Sequence, residues 1–193
     1  MTARTHDLAA ITALGAVVFF VTPLRTMTLA TALVAILANQ LGGIAPDIDQ
    51  PTAPFWRNLP VGGIIGRIID KMLGGHRFLT HSLLGMAMFG GLSYLLLQAL
   101  HPIIPSVDAM YVWWAFMIGM LSHLVADTFT KEGVPWLLPL PIKFGFPPIK
   151  ELRVTAGKGV ESFIIFPGLL LLDIWFCASH YTFLLALLHR HVV

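Results

Sequence analysis

The chain has 193 residues, of which 56% are hydrophobic and 11% charged, with a formal net charge of +2. A mean hydropathy of +0.80 makes it too apolar for a water-soluble domain. One cysteine, Cys177, excludes an intramolecular disulfide, and so small a net charge gives no reason to expect nucleic acid as a partner.

Charges vanish between Asp7 and Arg25, Arg25 and Asp47, Arg77 and Asp108, and Asp108 and Asp127. A helix needs about 20 apolar residues to cross a bilayer. Spans are therefore predicted near 6–22, 27–45, 80–100, 109–128 and 161–188. The last is long enough to tilt, kink at Pro167 or protrude, and four spans with a final interfacial helix is the alternative. The expected fold is an all-α polytopic bundle forming one membrane-embedded domain, 1–193. The first segment has the charge and apolar core of a signal peptide. It lacks a small-x-small cleavage site and runs straight into a second span, so it is expected to be retained. With five crossings, ten of the twelve Lys and Arg residues share the side of the N-terminus, leaving Arg25 and Arg190 on the other. Basic loops stay in the cytoplasm, which predicts a multi-pass protein with a cytoplasmic N-terminus. The same basic surface suits anionic headgroups.

In chain order, Thr5-His6-Asp7 opens the first span; alone, His6 reads as an interfacial or capping residue. The second span ends in Gly42-Gly43-Ile44-Ala45-Pro46-Asp47-Ile48-Asp49, where glycine and proline stop the helix. In extended backbone Asp47 and Asp49 would point the same way and grip one site together, although Asp is also an ordinary turn residue. From Leu59 to Leu73, Ile64, Ile65, Ile68, Ile69 and Met72 share a helical face away from Arg67, Asp70 and Lys71. This predicts an interfacial amphipathic helix, or a plain loop helix packed on the bundle. Trp56 and Trp136 are expected at the cytoplasmic aromatic belt, and Trp113 and Trp114 at the opposite one.

The third span opens with Gly75-His76-Arg77-Phe78-Leu79-Thr80-His81-Ser82, two imidazoles, an arginine and two hydroxyls at the mouth of an apolar helix. Such groups are costly there without a role. The fourth ends in His123-Leu124-Val125-Ala126-Asp127; four apart, His123 and Asp127 share a face. They make either a ligand pair, a histidine oriented by its carboxylate, or a hydrogen bond closing the helix. Residues 131–159 contain five prolines and cannot be helical. A short hairpin is predicted there, from 142–146 and 152–155. Gly157-Lys158-Gly159 leads to Glu161 in the first turn of the last span, where a carboxylate also suits the helix dipole. The amides flanking Lys158 could hold an anionic group. Asp173 sits deep in that span, away from the rest.

On this topology His6, Asp47, Asp49, His76, His81, His123, Asp127 and Glu161 all lie at the cytoplasmic ends of spans. Four imidazoles and four carboxylates at one level suit two or three borderline divalent ions such as Zn²⁺. Metals so placed acidify water and clamp a phosphoryl group. Arg77 and Lys158 are the candidates to hold the phosphate, and Asp49 is expected to serve both metal and rate. A proton relay could use the same residues.

The series Thr-His, Pro-Asp-Ile-Asp-x-Pro, His-Arg-x-x-Thr-His-Ser-Leu, Leu-Ser-His-x-x-x-Asp-x-x-Thr and a late Gly-x-x-x-Glu runs from His6 to Glu161. It resembles the LexA-regulated, membrane-bound metal-dependent hydrolase family of YdjM-like inner-membrane proteins. That family is similar, distantly, to zinc-dependent phospholipase C and P1-type nucleases. The resemblance implies a three-zinc type of site with the His-x-x-x-Asp pair, the paired aspartates and the late Glu as ligands. Those soluble relatives also use a free N-terminal residue as a ligand; here Met1 precedes His6, which is expected to take over part of that role. The resulting expectation is a phosphoester hydrolase acting on a membrane lipid. A metal or proton transporter is the second reading, and a nonenzymatic structural membrane protein the third. Oligomeric state is left open.

Overall fold

A computed structural model describes residues 1–21, 27–75, 77–140 and 142–189. The proposed ligand His76, the topology-setting Arg25 and Arg190, and His191 lie outside the described residues. The chain forms α1 (Ala3–Phe20), α2 (Leu29–Ile44), α3 (Pro54–Arg57), α4 (Gly62–Met72), α5 (Leu83–Leu100), α6 (Ala109–Thr128), α7 (Phe166–Ser179) and α8 (Tyr181–His189). A 3-10 turn, Ala45–Asp49, continues α2, and a π turn, Glu161–Ile165, leads into α7. Five of these stretches are long and apolar enough to cross a membrane: Ala3–Phe20, Leu29–Asp49, Leu83–Leu100, Ala109–Thr128 and Glu161–Ser179. The protein is thus an all-α polytopic bundle.

The bundle is organised on α6, which packs against α1, α2 and α5, while α7 rests on α1. The α2–α6 contact is backbone to backbone. A Cβ on Gly42 would lie 2.0 Å from the Phe116 carbonyl oxygen, and one on Gly119 would lie 2.0 Å from that of Asn39. Small residues allow this approach where lipid offers no hydrophobic drive for helix association. Buried Asn39 crosses the seam, donating from Nδ2 to the Ala115 carbonyl at 3.0 Å. Side-chain caps define three helix starts: Thr28 accepts from Thr31 N–H, Ser82 from Gly85 N–H, and Asp108 from the amides of Met110 and Tyr111. Outward-facing Leu33, Leu37, Leu41, Leu95, Leu171 and Ile174 are exposed, as lipid-facing positions are.

Three expectations change. The last span does not run unbroken from 161 to 188. Proline removes an amide donor at Pro167, and the turn before it is widened, with Phe166 N–H bonding the Glu161 carbonyl five residues back. The helix then ends at Ser179, and α8 begins after His180. The hairpin of 142–146 with 152–155 does not form. Each piece instead meets the segment leaving α6, through isolated bridges Val134–Phe144 and Thr130–Val154. Arg153 holds the prolines between them, donating to the carbonyls of Pro147 (2.8 Å) and Pro148 (3.1 Å). Trp56 does not face outward as a belt residue would: it is buried, donates to the Ile48 carbonyl at 3.0 Å and packs against Gly66.

Candidate metal centre

The ends of α2 and α6 and the starts of α1, α5 and the π turn meet at one end of the bundle, and the expected residues come with them. His6, Asp49, His81, His123, Asp127 and Glu161 are all buried there, and Arg77 is 8% exposed. Two groups of three place their ligand atoms within 4.8 Å of one another: His6, His123 and Asp127, and Asp47, His81 and His123. His123 belongs to both.

The histidines are oriented from behind. His123 Nδ1 donates to the Gly43 carbonyl at 2.7 Å. That fixes its tautomer and leaves Nε2 as a buried lone pair without a hydrogen-bond partner, 3.6 Å from Asp47 Oδ1 and 3.8 Å from Asp127 Oδ2. At His81 a relay orients the ring. The Thr80 hydroxyl gives its one proton to Asp49 Oδ2, so His81 Nδ1, 2.9 Å away, donates to that hydroxyl. His81 Nε2 then faces Asp47 Oδ1 at 3.8 Å and Asp127 Oδ2 at 3.7 Å. Metal-bound histidines are held this way, with the distal ring nitrogen bonded to a carbonyl or carboxylate. His6 stacks on His123 with centroids 3.7 Å apart, and its Nε2 lies 3.2 Å from Asp127 Oδ1. Imidazole nitrogens and carboxylate oxygens converging at a largely buried site fit a borderline divalent ion.

Asp47 and Asp49 do not grip one site side by side. In extended backbone they would share a face, but Ala45–Asp49 is a 3-10 helix, where residues two apart diverge. Asp47 therefore faces the histidines, and Asp49 lies behind them, accepting from Thr80 and from the Arg77 amide at 3.1 Å. Glu161 joins neither triad. Its Oε1 accepts from the Thr2 amide (2.7 Å), the Thr2 hydroxyl (2.7 Å) and the Thr5 hydroxyl (2.6 Å), and its Oε2 from the Gly157 amide (2.7 Å). The anion held by the Gly157 amide beside Lys158 is thus the protein's own Glu161. Lys158 itself is exposed and does not line the cleft. Asp173 also stands apart, beside Thr12 at the α1–α7 contact.

Glu161→Gln tests this assignment. Loss of charge from a buried, four-bond acceptor should lower stability by roughly 1.5–3 kcal/mol and loosen the N-terminal segment. Bound metal should stay at the wild-type level. Loss of metal without loss of thermal stability would instead make Glu161 a ligand.

Arg77 comes to the site by a strained route, with φ +59° where non-glycine residues are rare. Its Nη2 pairs with Asp127 Oδ2 at 2.7 Å, and its Nη1 donates to the Thr130 hydroxyl at 3.1 Å and lies 3.4 Å from exposed Glu132. The Met1 amino group pairs with Asp127 Oδ1, beside His6. A polar cleft of about 320 Å³ opens above these groups, lined by Asp47, Gln50, Thr52, Arg77, Asp127 and Glu132 among others. Sequence reasoning assigned no partner to Thr80, one of the two hydroxyls marked before α5, and missed Thr2, Thr5 and the Gly43 carbonyl. Thr80 carried a signal, as the hydroxyl directly preceding His81; the carbonyl carried none.

A family model described as the YdjM inner membrane protein matches residues 1–190. The chain is 34% identical over 121 residues to "Inner membrane protein YdjM" of Escherichia coli (strain K12), covering 63% of this chain and 56% of that protein. It is 27% identical over 128 residues to "Uncharacterized protein YvsG" of Bacillus subtilis (strain 168), covering 66% of this chain and 69% of that one. The match thus spans little more than half the length of the Escherichia coli relative. No solved structure matches.

Proposed function

The chain belongs to the YdjM inner membrane protein family, and from that premise we propose that it is a metal-dependent phosphoester hydrolase acting on a lipid at the cytoplasmic face. The observation that carries the reading is His123. Its Nε2 is a lone pair held toward Asp47 and Asp127 by the Gly43 carbonyl, at the shared corner of two three-residue ligand sets. One lone pair binds one ion, so His123 would hold it with either His6 and Asp127 or Asp47 and His81. Bound there, Zn²⁺ or a similar ion would supply Lewis acidity toward a phosphoryl oxygen and toward water.

The chain's own residues supply the rest. Asp49, through Thr80, holds the His81 ring in one tautomer, and Gly43 does so for His123. Arg77 lines the cleft with its guanidinium on Asp127 and Thr130, and a phosphate oxygen there would take the place of exposed Glu132 on Nη1. The reaction is hydrolysis: a water oxygen bonds to phosphorus, the ester P–O bond breaks, and the leaving alcohol takes a proton. The burial of the histidines at the ends of membrane-crossing helices, where headgroups lie, favours a lipid ester over a soluble one.

The test is hydrolysis of phospholipids and prenyl phosphates by purified protein with its metal content determined. It should be repeated in inverted and right-side-out membrane vesicles with a membrane-impermeant phosphoester. Activity is expected only with metal, and only in inverted vesicles. Activity confined to right-side-out vesicles would reverse the orientation. Zn²⁺ or proton flux into liposomes with no hydrolysis would establish transport instead.

A further inference from the structure

Helix α4 presents three different faces. Gly62 and Gly66 are buried against the protein, and a Cβ on Gly66 would lie 3.0 Å from both Pro51 Cα and Trp56 Cδ1. A second face is apolar and unpartnered: Ile64 is 60% exposed, Ile65 40%, Ile68 55% and Met72 78%. Arg67 and Lys71 are exposed, and the 3.6-residue period sets them along one edge of that apolar face. The preceding turn adds exposed Leu59 and Val61 to the apolar side. An apolar stripe edged by long basic side chains fits an anionic bilayer surface, with the stripe in the acyl boundary and the cations reaching the phosphates. The occupant is at hand, because the same chain carries five membrane-crossing helices.

The glycine face ties α4 to the site. It rests on Pro51 and Trp56, and Trp56 is hydrogen-bonded to the Ile48 carbonyl, between Asp47 and Asp49. The next residues, Gln50, Thr52 and Ala53, form one wall of the cleft. We propose that α4 lies in the plane of an anionic membrane surface and sets this wall at headgroup depth, so that a lipid phosphate enters the cleft sideways from the bilayer. The first half stands on α4 alone; the second rests on the hydrolase reading.

The experiment uses the full chain in a Cys177→Ser background, in vesicles of phosphatidylethanolamine and phosphatidylglycerol. Nitroxide labels go on Ile68→Cys, Met72→Cys and Arg67→Cys. Labels at 68 and 72 are expected to collide with oxygen several-fold more than with a water-soluble nickel chelate, and the label at 67 to show the reverse preference. Equal chelate access at all three positions would overturn the in-plane placement, and with two reporters on the apolar face one poorly inserted variant does not decide it. For the second half, an Ile64→Glu, Ile68→Glu protein should lose about tenfold or more of its activity on a vesicle-borne phosphoester while keeping that on a soluble one. Equal loss on both overturns sideways entry. Should wild type cleave neither ester, the hydrolase reading fails, while the label result still decides the placement of α4.

Discussion

His123→Ala should empty the centre, while only one of His6→Ala and Asp47→Ala should. The reason is the sharing: His123 belongs to both ligand sets, whereas His6 belongs to one and Asp47 to the other. Altering a residue that merely orients a ligand typically costs 10–100-fold in metal affinity, so loss of the ligand common to both sets should exceed about 100-fold. Elemental analysis of the purified variants, with zinc titration of the stripped proteins, reads the stoichiometry directly. The stacking of His6 on His123 adds a further expectation: where Asp47 is the ligand, His6→Ala still weakens binding modestly by freeing the His123 ring. Wild-type metal content in both His6→Ala and Asp47→Ala would leave neither set in place, and wild-type content in His123→Ala would remove the site.

Gly42→Ala should be as damaging from outside the site. The new methyl carbon would stand 2.0 Å from the Phe116 carbonyl oxygen, a backbone atom that moves only if α2 and α6 part. Overpacking typically costs ~1–3 kcal/mol, and a backbone clash belongs at or above the top of that range. For a chain of this size that is a drop of roughly 5–10 °C in thermal midpoint, read by intrinsic fluorescence in detergent. The effect should also reach the metal. The neighbouring Gly43 carbonyl holds His123 Nδ1, so parting the helices frees the ring and weakens binding. Gly63→Ala, where an added Cβ meets nothing within 4 Å, is the control and should change neither property. A wild-type melting point for Gly42→Ala would contradict the close α2–α6 contact.

Both variants bear on how the sequence carries its information. Long charge-free intervals by themselves determine five membrane-crossing helices, because burying unpaired charge in lipid is costly and each crossing has a fixed minimum length. Alternation of those crossings then brings the start of α1, the end of α2, the start of α5, the end of α6 and the start of the last span to one level, and so gathers His6, Asp47, His81, His123 and Asp127. Their types and order were legible for the same reason, since imidazoles and carboxylates at the ends of apolar helices stand out.

The tertiary structure alone decided which of them face one another. Asp47 and Asp49 part because the chain leaves α2 as a 3-10 turn instead of an extended strand, a choice set by packing against α4 and Trp56. Glu161 turns away because Thr2, Thr5 and the Gly157 amide, about 155 residues apart in the chain, surround it first. The lone pair of His123 points into the centre because two glycines let α2 and α6 touch and so bring a backbone carbonyl to its other nitrogen. A carbonyl belongs to every residue and leaves no mark in composition or spacing; only the approach of two helices gives it a role.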